Sequence, residues 1–145
     1  MISIEQEKIG ILVPPQLKDN GAPTSLTYID TKDFEHLRVE IILGVTDIVL
    51  NGIPKLQECD TTGGNYADIT GAVLADAPSA TEDSLVFAID VDLTKDRMRY
   101  IKCLLTCGNG TTGTNICVVG RLSRKSGGTH NGLATAAGYT ELVSA

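Results

Sequence analysis

His36-Leu37-Arg38-Val39-Glu40-Ile41-Ile42-Leu43 and Leu85-Val86-Phe87-Ala88-Ile89-Asp90-Val91-Asp92 are the two stretches that decide the fold. Successive side chains of an extended chain point to opposite sides. Leu37, Val39, Ile41 and Leu43 therefore share one face, while Arg38 and Glu40 take the other. Leu85, Phe87, Ile89 and Val91 repeat the arrangement. A helix would need apolar residues three and four apart. Here they fall two apart, among β-branched types that suit a pleated surface. Ile101, Cys103, Leu105 and Cys107 share a face in the same way, as do Ile116, Val118, Gly120 and Leu122.

Outward from these runs, turn chemistry punctuates the chain. Asn51-Gly52, Thr61-Thr62-Gly63-Gly64-Asn65 and Gly108-Asn109-Gly110-Thr111-Thr112-Gly113 supply residues that tolerate positive φ. The last group predicts a hairpin between roughly 98–107 and 114–122. Shorter strands are expected near 8–13, 24–30, 55–60 and 65–70. Helical signals are confined to a turn over Thr46 to Leu50 and an Ala-rich piece over Leu133 to Gly138. The pattern predicts an all-β fold, a single antiparallel β-sandwich, jelly-roll-like, of about seven or eight strands. Residues 14–23 hold three prolines, so 1–23 is expected to be an N-terminal arm. Residues 24–122 form the sandwich core. Residues 123–145 are a flexible linker, rich in Ser and Gly, followed by a C-terminal tail.

The chain has 145 residues, enough for one domain to bury roughly 68–70% of its unfolded surface. Aromatics make up only 4%, with no Trp, so the core is aliphatic and stacking platforms are few. The net charge of −6 and a pI near 4.8 argue against nucleic acid, which attracts basic patches. The densest basic stretch, Lys95, Arg97, Arg99 and Lys102, is diluted by Asp92 and Asp96. No run approaches the ~18 apolar residues of a spanning helix, and the first residues are acidic where a secretory leader is basic. The expectation is a product made in the cytoplasm, with no membrane partner.

No chemistry-bearing constellation emerges. Cys59, Cys103, Cys107 and Cys117 are dispersed without a CxxC pair, which favours free thiols in a reducing compartment over one bridge, for example Cys103 to Cys117. His36 and His130 are the only histidines. Cys103 and Cys107, four apart on a strand, lie ~13 Å apart, beyond the reach of one metal. Asp30, Asp33, Asp60, Asp68, Asp76, Asp83, Asp90 and Asp92 fall in turns or on wet faces. Asp90-Val91-Asp92 with the Asp47 and Asp60 loops lacks the EF-hand spacing of a calcium cage. The Gly108–Gly113 loop lacks the Lys-Ser/Thr and the helix of a phosphate cradle. The reading is non-enzymatic, with no catalytic, cofactor-binding or metal residues and no cofactor.

A resemblance emerges from the ordered series of segments. They are Tyr28-Ile29-Asp30-Thr31-Lys32, Val39 to Asp47, Lys55-Leu56-Gln57-Glu58-Cys59-Asp60, Tyr66 to Ala72, Val86 to Leu93, Arg97 to Lys102 and Arg121-Leu122-Ser123-Arg124. Over roughly residues 26–124 this series resembles small tailed-phage and prophage virion proteins. Members usually carry an aromatic residue, often Trp, before the Asp-Ile-Thr-Gly stretch, where Tyr66 stands nearby here. They commonly have Ser at the position of Cys59, which implies no required thiol there.

The resemblance implies a particle component encoded among head and tail genes. A sandwich of this size with an arm and a tail suits a capsid decoration (cement) protein. Such a protein sits on the capsid exterior of the virion, contacts the major capsid protein or other virion subunits, and forms a homo-oligomer, trimer or dimer. Residues 1–23 and 123–145 are the expected contacts. Two alternatives stay open: a head-completion, head-tail connector or tail-terminator protein, and a carbohydrate-binding or host-adhesion sandwich. The second would place exposed Tyr on a flat face.

Overall fold

A computed structural model describes residues 7–23, 26–124 and 140–145. Nine strands carry the chain: β1 Glu7–Lys18, β2 Tyr28–Asp30, β3 His36–Thr46, β4 Lys55–Cys59, β5 Ala67–Val73, β6 Val86–Asp92, β7 Tyr100–Leu104, β8 Thr114–Ser123 and β9 Glu141–Ser144. There is no helix among the described residues. The turn expected over Thr46 to Leu50 is a bend instead. The Ala-rich piece at Leu133 to Gly138 lies outside the described residues.

The pairing explains the architecture. β1 pairs with β8, β2 with β7, β3 with β6 and β4 with β5, all antiparallel, as in one long hairpin folded at the β4–β5 turn. Rolling that hairpin brings β8 beside β3 and β7 beside β4. Two sheets result, β1-β8-β3-β6-β9 and β2-β7-β4-β5. The first eight strands are thus a jelly roll. β9 is an addition that runs parallel to β6.

The core lies between the sheets. Leu37, Val39, Ile41 and Leu43 project into it from β3, and Phe87, Ile89 and Val91 from β6. Leu56 on β4 and Ile101 and Cys103 on β7 meet them from the other sheet. All ten are buried, as their alternation requires.

Three expectations need correction. β7 and β8 are not a hairpin: they belong to opposite sheets, and residues 105–113 carry the chain across the end of the sandwich. A glycine-rich loop between two alternating strands fits either connection. Within that loop Asp47 holds the backbone by accepting from Thr112 N–H at 2.5 Å, and Gly113 takes φ 85°. Secondly, most of the expected arm is structural. Glu7–Lys18 is the twelve-residue edge strand β1, with Leu12 and Val13 fully in the core. Pro14 and Pro15 are tolerated because the register with β8 shifts between Val13 and Gln16, at an edge where no ladder N–H is needed from them. Removing residues 1–23 would therefore strip an edge strand rather than trim an arm. Thirdly, the expected tail contributes β9, whose Val143 is level with Ile89 of β6 and packs against the core.

Candidate functional site

β1 has apolar residues in both phases of its alternation. Gly10 and Leu12 turn inward, while Ile9 and Ile11 turn to the outer face of the five-stranded sheet. On that face Ile9 is 61% exposed, Ile11 55%, Leu17 61% and Ile42 36%. Half-buried Cys117 and Val119 lie on the adjoining β8. Two shallow grooves of about 230 and 370 Å³ run along this face, one past Glu7, Ile9 and Arg121, the other past Pro15, Leu17 and Ile42. Burial of apolar surface is what drives protein association, and exposed apolar patches on a small domain mark contact surfaces.

A polar network borders the aliphatic row. Arg38 grips Asp90 with Nε and Nη2, both at 2.6 Å, and His36 Nε2 lies 3.5 Å from the same carboxylate. Burial pushes the Asp90 carboxyl up, but the bonds from Arg38 and His36 more than offset it and hold the group below its ordinary range. Arg121 donates to Glu40 at 2.6 Å. These bonds tie β3 to both neighbours. His36 points outward, as its phase in the alternation requires; His130 lies outside the described residues.

The four-stranded sheet presents a different outer face. It gathers Tyr28, Tyr66 and Tyr100, drawn from three distant parts of the sequence. Tyr28 and Tyr100 meet edge to face at 5.2 Å. Lys102 Nζ sits 4.3 Å above the Tyr66 ring, and Arg99 lies 5.1 Å over Tyr100. Arg99 also forms a two-pronged pair with Asp30 at 2.8 Å, and this holds the Asp30 carboxyl down to about 2. Lys55 and Gln57 both donate to Asp68 and lower its carboxyl. Nothing local in the sequence announces this cluster, since its three tyrosines are 34 or more residues apart.

The remaining polar residues are dispersed. The stretch Lys95, Arg97, Arg99 and Lys102 is only partly brought together. Lys95 is exposed, Arg97 and Arg99 share a shallow depression with Phe34, Leu93 and Met98, and Arg99 and Lys102 lie against tyrosine rings. All four cysteines are free, so the Cys103–Cys117 alternative is not formed. Cys103 points into the core, where burial pushes its thiol up to about 12; burial also raises Cys107 and Cys117. Raised thiols are poor nucleophiles. Asp47 is held by the Thr112 backbone, Asp90 by Arg38, and Asp60 stands exposed on its own loop. Among the described residues no three His, Cys, Asp or Glu side chains come together as a metal site. No helix among them is long and apolar enough to cross a membrane.

No protein-family model, curated protein or solved structure matches this chain.

Proposed function

We propose that the chain is a virion structural protein of a tailed phage or prophage, a capsid decoration protein that stabilises the shell by packing on its exterior. The observation that carries this reading is the set of exposed aliphatic residues Ile9, Ile11, Leu17 and Ile42 on the outer face of one sheet. Burying such a row against the major capsid protein supplies the association energy, and the Arg38–Asp90 and Arg121–Glu40 pairs supply the polar rim. The resemblance of residues 26–124 to small virion proteins supports the same reading. Imaging heads of the phage that encodes the chain tests it. Density of one chain repeated over the capsid lattice is expected. A ring at a single vertex would favour the head-completion or tail-terminator role, and no head-associated density would refute both.

The tyrosine cluster favours one other reading, a carbohydrate-binding or adhesion face. Sugar rings stack on open aromatic faces, and Tyr28 is 40% exposed. Cations already cover Tyr66 and Tyr100, which leaves little open ring for a glycan. Binding of the isolated protein to a glycan array, lost in Tyr28→Ala, would establish this role over the first.

A further inference from the structure

Arg97 is the one arginine of this chain whose Nε has no acceptor, and that nitrogen is buried. The others, Arg38, Arg99, Arg121 and Arg124, each donate from Nε to an oxygen at 3.2 Å or less. We propose that Arg97, with Lys32 at its rim, is a socket for one carboxylate, the Asp or Glu side chain of a partner protein. The inference concerns a surface other than the outer face of β1 and does not rest on the particle role.

Three connections build the depression in which Arg97 lies. Lys32 and Phe34 come from the link between β2 and β3, Asp60 from the turn after β4, and Leu93, Arg97 and Met98 from the link between β6 and β7. Backbone bonds fix these links to one another. Thr31 donates to Arg99 O from N–H at 3.0 Å and from Oγ1 at 2.6 Å. Leu93 N–H donates to Glu35 O at 2.9 Å, and Met98 N–H donates to Glu58 Oε2 at 3.0 Å. Little order is lost when an acceptor meets donors anchored in this way.

The chemistry of the walls selects the ligand. Arg99 also lines the depression, but its Nε and Nη2 are committed to Asp30. That pairing leaves Lys32 and Arg97 against Asp60, a net charge of +1 on the walls. Among the described residues no carboxylate pairs with Lys32 or Arg97. A carboxylate balances a single positive charge, whereas a phosphate group brings about two negative ones at neutral pH. The Nε edge of a guanidinium matches a carboxylate, and it is the edge by which Arg38 holds Asp90 and Arg99 holds Asp30. The depression measures about 270 Å³, below the ~300–1,000 Å³ of small-molecule sites, so it has room for one side chain. Phe34 and Leu93, half-buried against the core, give the methylenes of that side chain an apolar contact. An acceptor placed there also satisfies a buried donor of a kind that folded proteins rarely leave unpaired.

Titration of the full, isotope-labelled chain with the blocked peptide Ala-Glu-Ala tests the socket. NMR follows the Arg97 Nε–H resonance, identified by its loss in Arg97→Lys. A saturable shift with a Kd of roughly 1–10 mM is expected. The uncharged, isosteric Ala-Gln-Ala should bind at least about tenfold more weakly, the factor for losing a charged acceptor. Lys32→Met changes only an exposed side chain and should weaken binding of the glutamate peptide about twofold to fivefold. Four results would each overturn the proposal: no shift at Arg97, an equal response to both peptides, unchanged affinity in Lys32→Met, or tighter binding of inorganic phosphate than of the glutamate peptide.

Discussion

Arg38 on β3 and Asp90 on β6 face each other across the five-stranded sheet, joined by two parallel hydrogen bonds of 2.6 Å. Asp90 is only 5% exposed, so the carboxylate depends on this guanidinium for its charge. Arg38→Ala should cost about 3 kcal/mol in urea unfolding at neutral pH, the low end for stripping a buried carboxylate of its cation. The folded-state pKa of Asp90 is depressed, so the pair contributes stability above the unfolded value of 3.8 and loses it as pH falls through the folded value. The gap between Arg38→Ala and the parent should therefore narrow in acid. A gap independent of pH would contradict the assignment.

Asp30 provides a second pH signature on the opposite sheet. Its carboxyl is held near 2 by Arg99, against 3.8 when unpaired. Stability from this pair is complete above 3.8 and is lost as pH falls from there towards 2. Asp30→Asn should flatten the acid-unfolding curve within that window and leave its slope above pH 5 unchanged. Equal slopes for variant and parent between pH 4 and 2 would show the pair to be inert.

Thr46 and Thr114 bury a hydroxyl pair 2.7 Å apart, and Thr46 also donates to Ile48 O at 2.8 Å. The two positions should not respond alike. Thr114→Val removes one bond and should cost about 1 kcal/mol. Thr46→Val strands both the Thr114 hydroxyl and the Ile48 carbonyl and should cost about 2–3 kcal/mol. Thermal unfolding of the two variants measures the order, and a larger loss at Thr114 would contradict it.

The thiols separate by face. Cys103→Ser places an unpartnered hydroxyl in the core and should destabilise by about 1–3 kcal/mol. Cys117→Ser, on the outer face, should stay within ~0.5 kcal/mol. Alkylation of the native protein should label Cys117 well before Cys103; equal rates would mean the core opens.

The alternating phases of β3 and β6 are visible in the sequence because one face is dry and the other wet, and the all-β sandwich class follows from them, whereas the jelly-roll order rests on the pairing. Which strands lie side by side is less legible. The Gly108–Gly113 loop has the composition of a hairpin tip, yet it spans the sandwich, because positive φ serves a crossing bend as well as a tight one. Pro14 and Pro15 suggest an arm; only the register shift in β1 reveals how an edge strand absorbs them. Ile9 and Ile11 give no outward signal of their own, since Leu12 and Val13 beside them are equally apolar and face inward. The tyrosine face is a product of sheet pairing alone, with Tyr28 brought opposite Lys102 and Asp30 opposite Tyr100.

The proposed role places the contact with the shell on the outer face of β1. Its most direct test is co-sedimentation of an Ile9→Glu, Ile11→Glu double variant with capsids that lack this chain. Each buried isoleucine contributes ~1.5–3 kcal/mol, so affinity should fall at least about a hundredfold while thermal unfolding changes little. Binding at the parent's level by the folded double variant would contradict the account.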